Sequence, residues 1–162
     1  MIMGRGWRGL APGFTFIELV IATAVLMVLA SAALPLARVS MRRQKETMLR
    51  AELREMRTAI DRFKDMADAG ALASTQLQLG CENYPASLDL LVDGVPRANT
   101  VNNLKVKFLR RIPIDPVTGR AEWGMRAYSD APDATAWSGQ CVYDVYSKAE
   151  GKALDGTKYR DW

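Results

Sequence analysis

The feature that most limits what this chain can fold into is an unbroken apolar run, FTFIELVIATAVLMVLASAALPL, from Phe14 to Leu36, whose 23 residues carry a single charge, Glu18. As a helix rising 1.5 Å per residue it would extend about 35 Å, enough to cross a bilayer. A cleavable secretory signal has a shorter apolar stretch, about 7–15 residues, ending in a small-x-small site. Ala30-Ser31-Ala32 keeps that alternative open, but the length of the run favours a spanning segment. A carboxylate in the apolar half of a span costs about 2.5–3.5 kcal/mol on insertion scales, which makes Glu18 a candidate functional group in search of a cation at its own depth. Residues 14–36 contain none. The simpler reading is that Glu18 snorkels to the interface from near the helix end.

Charge is unevenly placed. The 162 residues hold 22 Lys and Arg against 18 Asp and Glu, a net charge of +4. Residues 1–13 contribute Arg5 and Arg8, residues 37–65 hold nine basic and five acidic side chains, and residues 66–162 hold eleven basic and twelve acidic. The surplus lies within the first 65 residues, so the basic balance does not argue for a nucleic-acid partner. Arg38, Arg42, Arg43, Lys45 and Arg50 follow the span closely, and the positive-inside rule alone would put the C-terminal side in the cytoplasm.

The chain has no histidine, which excludes Ser-His-Asp and Cys-His nucleophilic systems and His-ligated zinc or haem. It has no GxxxxGK[ST] loop for ATP chemistry. A membrane-tethered carboxylate enzyme could draw on Asp115, Glu122 and Asp144, but their spacing shows no paired-acid motif. No catalytic residue is expected.

Beyond Leu36 the apolar character narrows to a stripe. Leu49, Leu53, Met56, Ile60, Phe63 and Ala67 recur at spacings of 4, 3, 4, 3 and 4, the seam of an amphipathic helix. Glu46/Arg50 and Arg57/Asp61 stand at i,i+4, where such pairs contribute about 0.2–0.5 kcal/mol each. No Gly or Pro interrupts residues 38–69, and Gly70 is placed to cap. One helix over residues 14–69 is predicted, about 80 Å long, with Pro35 kinking or loosening it. Met48, Met56 and Met66 are expected as core contacts.

From Gly70 turn signals become dense. A short helix is expected over Ala86–Val92, a rigid loop at Ile112-Pro113-Ile114-Asp115-Pro116, and strands within residues 121–129 and 140–147. Residues 105–111 read as a solvated helix or loop face, and Trp123, Trp137 and Trp162 as packing for the sheet. The fold class is α+β, a long helix packed on a small antiparallel sheet. Cys81 and Cys141 both fall in this part; a bond between them would contribute about 4 kcal/mol in the chain-entropy model and would suit an oxidising compartment. Two buried free thiols are the other reading.

The residues joining the basic leader to the apolar run are Gly13-Phe14-Thr15-Phe16-Ile17-Glu18-Leu19. This arrangement resembles the class III signal of type IV pilins and type II secretion pseudopilins. The resemblance implies that a prepilin peptidase and methyltransferase cuts between Gly13 and Phe14 and methylates the new amino group of Phe14. It implies a leader over 1–13 left in the cytoplasm, an inner-membrane and assembly helix over 14–36, a stalk over 37–69 and a periplasmic, pilin-like head over 70–162. The amine of Phe14 would then supply the missing cation, and a neighbour's Glu18 would neutralise it, fixing the register between subunits. Pro35 falls where such stalks often loosen.

Tyr84-Pro85 followed by Ser87-Leu88-Asp89-Leu90-Leu91-Val92, then Ile112 to Pro116 and Tyr143-Asp144-Val145-Tyr146-Ser147, is similar to the major pseudopilins of type II secretion. That likeness implies a helical filament of copies of the chain, working with minor pseudopilins and an inner-membrane secretion platform to export folded proteins. A minor type IV pilin or competence pilin is the alternative. Major pseudopilins usually bind calcium in a C-terminal loop; the counterparts here are Glu150, Asp155 and Asp161. Lys148 and Lys152 interrupt that loop, the family's Gly-Ala-Asp-Gly run is not reproduced, and Val117-Thr118 replaces its aromatic-Gly pair.

Overall fold

A computed structural model describes residues 13–99 and 104–162. The first element, α1, runs unbroken from Phe16 to Asp68 with Pro35 inside it. The chain divides into two compact units between Met41 and Arg42. In the first unit α1 is apolar on every side, and its large side chains, such as Phe16, Leu26 and Val28, are exposed.

In the second unit the stripe does what its spacing predicts. Leu49, Leu53, Met56, Ile60, Phe63 and Ala67 are all buried, four of them completely. The helix stops in a Schellman turn. Gly70 adopts φ +66°, its N–H donates to the carbonyl of Ala67, and the N–H of Ala71 reaches back to Met66. A residue without a Cβ takes that left-handed position at little cost.

After α1 comes a short 3₁₀ turn, Ser74–Gln76, and then α2, Leu88–Asp93. The second helix starts two residues later than the pattern suggested, because Ser87 is its N-cap and accepts a hydrogen bond from Leu90 N at 3.4 Å. Leu88 and Leu91 face the core. Strands β1, Val95–Pro96, and β2, Lys105–Val106, pair antiparallel. Strands β3, Trp123–Arg126, and β4, Asp144–Ser147, form a second antiparallel pair in which Gly124 stands opposite Tyr146. A 3₁₀ turn at Tyr159–Asp161 follows.

The α+β class with a long apolar helix is therefore present, with two small two-stranded sheets in place of one. Residues 105–111 form no helix. Two of them are strand, Phe108 meets Phe63 edge to face at 5.3 Å, and Leu109 is buried. Trp123 is buried and its indole N–H donates to Pro113 O at 2.9 Å, fastening the proline-rich loop. Met56 is in the core, but Met48 is exposed. One residue before Leu49, it points about 100° away from the seam.

The ion pairs along α1 differ from those the spacing suggests. Glu46 pairs with Arg42 at 3.3 Å, Arg50 with Asp155 at 2.7 Å, and Arg57 with Asp144 at 2.7 Å. Glu46 lies three residues before Leu49, so it continues the buried seam. Its side chain is buried and, besides Arg42, is bonded to Leu154 and Tyr159 in the rest of the unit.

Candidate functional site

Within the first unit the candidate site is the entry of α1 and the apolar surface that follows it. Leu19 N donates to Thr15 O at 3.2 Å, the first helical bond, and Glu18 N donates to Thr15 Oγ1 at 3.4 Å. Thr15 is thus the N-cap, and Thr15-Phe16-Ile17-Glu18 has the Thr-x-x-Glu spacing of a capping box with the acid three residues in. The spacing is itself a sequence signal for a helix start at Thr15. Glu18 also lies in the first turn, where the helix macrodipole favours an anion. That gives the carboxylate a local stabilisation which needs no second chain.

The other polar side chains of this segment satisfy themselves. Thr23 Oγ1 donates to Val20 O at 3.0 Å and Ser31 Oγ to Val28 O at 2.7 Å. In a medium without water, hydroxyls bonded to their own helix leave no unpaired donor. By length and composition α1 can cross a membrane. Gly13 and Phe14 lie just before the Thr15 cap, Phe14 being 80 % exposed; residues 1–12 of the expected leader, Arg5 and Arg8 among them, lie outside the described residues.

In the second unit Cys81 and Cys141 are joined by a disulfide, their Cα atoms 5.4 Å apart. This closes the alternative of free thiols. Around it three tyrosine rings meet: Tyr143 approaches Tyr84 at 5.2 Å and Tyr128 at 5.4 Å, both edge to face.

The carboxylates considered for catalysis are occupied elsewhere. Asp115 is fully buried; its Oδ1 accepts from Val117 N at 2.7 Å and its Oδ2 from Ser147 Oγ at 2.6 Å. Asp144 lies between Arg57 and Arg126, the latter at 3.5 Å. Glu122 is exposed. Asp115 and Asp144 are thus tying groups, holding the Pro113–Pro116 loop and α1 against β4.

The three residues expected to hold calcium are not drawn together. Among the described residues no group of three or more acids, cysteines or histidines is close enough to hold a metal ion. Asp155 gives one oxygen to Arg50 and the other to Thr157, whose N–H and Oγ1 lie 2.9 and 2.6 Å away. Those donors hold its carboxyl below the ordinary carboxylate range, with the Thr157 hydroxyl the largest contributor. Asp161 sits beside Arg160 at 3.7 Å, and Glu150 is exposed. With a guanidinium already on the Asp155 oxygen, the donor set as it stands does not fit a calcium ion.

The chain matches no protein-family model, no curated protein and no solved structure.

Proposed function

We propose that this chain is a structural subunit of a type II secretion pseudopilus, held in the inner membrane by residues 14–36 with its C-terminal part in the periplasm. Copies leave the bilayer and stack through their apolar helices into a filament that moves folded proteins outward. The observation that carries this reading is the Gly13-Phe14-Thr15-x-x-Glu18 junction at the start of a helix whose first half exposes its apolar side chains all round. Such a surface is stable only in lipid or against other apolar helices. The disulfide suits an oxidising compartment outside the cytoplasm. Partners on this reading are further copies, minor pseudopilins, the secretion platform and the prepilin peptidase that cuts after Gly13 and methylates Phe14.

Glu18 has two roles open to it, and they separate experimentally. As the third residue of the cap it needs only a polar side chain; as the partner of a neighbour's Phe14 amine it needs its charge. Glu18→Gln should keep helix content and cleavage at Gly13 yet lose filaments, as Glu18→Ala should. Normal filaments from Glu18→Gln would leave Glu18 as a cap only. The flanking Lys and Arg favour the opposite orientation, so labelling of a cysteine introduced at exposed Ser129 by a membrane-impermeant reagent tests the topology. Labelling only after the inner membrane is opened would overturn the periplasmic placement.

A further inference from the structure

The seam of α1 does not end at Leu49. Continued towards the N-terminus at spacings of 3 and 4 it meets Glu46 and then Arg42, and the polar ridge beside it carries Arg50 and Arg57. All four reach the last fifteen residues or the strand leading into them. Glu46 Oε1, with Glu46 buried, accepts from Leu154 N at 3.0 Å and from Tyr159 Oη at 2.9 Å. Arg42 donates to Lys152 O and to Tyr159 Oη. Arg50 donates to Asp155 Oδ2 at 2.7 Å and lies 4.1 Å from the centre of the Trp162 ring. Arg57 donates to Asp144 at 2.7 Å and to Trp162 O at 2.8 Å.

The segment contributes its own closure. Ala153 N donates to Thr157 O at 2.7 Å, Gly156 N to Ala153 O at 3.0 Å, and Asp155 caps Thr157. Within the turn the Asp155 carboxylate is held by the N–H and hydroxyl of Thr157, and Arg50 adds a charged partner on its second oxygen, anchored on a helix whose other face is the core.

We propose that the segment from Lys148 to Trp162 is ordered by this row of α1 side chains, Arg42, Glu46, Arg50 and Arg57, acting as a built-in strap in place of a bound divalent cation. The strap links the order of the segment to ionic strength. Salt weakens exposed ion pairs, and the Arg50–Asp155 pair has both side chains about half exposed. The hydrogen bonds to Glu46 are sheltered and hold longer. Because this rests only on contacts within the second unit, it stands apart from the membrane and filament reading.

The test is amide hydrogen exchange of the full chain in detergent micelles, followed at Ala153, Leu154 and Thr157, with β3 and β4 amides as reference. Exchange should be the same in calcium chloride and in EDTA, and should quicken with sodium chloride at these three amides before the reference amides respond. Arg50→Gln should speed them by about 2- to 5-fold, the scale of a partly exposed pair, and Glu46→Gln by more than 10-fold at Leu154. Arg50→Lys, which keeps the charge, should fall between. Two results would overturn the strap. One is at least tenfold protection of these amides by calcium in the wild-type chain, lost in Asp155→Asn. The other is unchanged exchange in both Arg50→Gln and Arg50→Lys with the reference amides intact.

Discussion

Gly124 lies opposite Tyr146 in the β3–β4 pair, and the Tyr146 ring lies across the glycine where a side chain would stand. A Cβ built on Gly124 would overlap that ring. The ring has no easy exit: it is 7 % exposed, Arg126 stacks on it with its guanidinium carbon 4.2 Å from the ring centre, and its hydroxyl donates to Thr135 O at 3.2 Å. Gly124→Ala must therefore move the ring or the strand. Overpacking of this kind costs about 1–3 kcal/mol, and breaking the Tyr146–Thr135 hydrogen bond adds about 0.5–1.5 kcal/mol, giving roughly 2–4 kcal/mol. For a unit of this size the melting temperature should fall by about 10 °C. Urea and thermal denaturation of the full chain in detergent would read it. Combining Gly124→Ala with Tyr146→Leu should cost less than the two single changes added, since the clash is then gone. A Gly124→Ala variant within about 0.5 kcal/mol of wild type, the usual range for harmless surface changes, would refute the packing described here.

Three further expectations follow from the second unit. Reducing Cys81–Cys141, or replacing both residues by Ser, should destabilise this unit by about 2–5 kcal/mol, read as a lower urea midpoint under dithiothreitol; an unchanged midpoint would remove the bond from the stability account. Asp115→Ala leaves Ser147 Oγ and Val117 N without their buried acceptor, at about 1–3 kcal/mol for each stranded group; denaturation midpoints check it, and Asp115→Asn should recover part. The bond from Asn83, and then the one from Lys64, hold the Asp68 carboxyl below its ordinary range, while the bond to Asp68 raises Lys64. The Asp68 contribution is therefore complete above about pH 4 and is lost as pH falls through the depressed folded value, and the Lys64 contribution is lost only as pH rises through its raised one. The stability difference between wild type and Asp68→Asn should accordingly shrink towards pH 2; a difference independent of acid pH would contradict that linkage.

How much of this was legible in the sequence depends on which interactions are local. The six-residue stripe, the Gly70 stop and the β3–β4 strands follow from periodicity and turn chemistry, which a few neighbours decide. The ion pairs do not. Glu46/Arg50 and Arg57/Asp61 stand within reach of each other, but the fold carries in Asp144 for Arg57 and the half-exposed Asp155 for Arg50, while Glu46 is taken up by Arg42, Leu154 and Tyr159. A signal for Glu46 did exist, since a glutamate at the next seam position must either end the buried stripe or be given donors. Ser87 as the cap of α2 and Thr15 as the cap of α1 were readable by the same rule. Nothing local in the sequence announces that Tyr146 lies over Gly124, because that depends on strand register.

The measurement that tests the central claim most directly is the intact mass and N-terminal sequence of the chain recovered from the membrane fraction of cells that carry a prepilin peptidase. The account predicts a chain beginning at Phe14, its amino group carrying one methyl, with the apolar run to Leu36 retained. A chain cut after Ala32, or one keeping residues 1–13 intact, would contradict it.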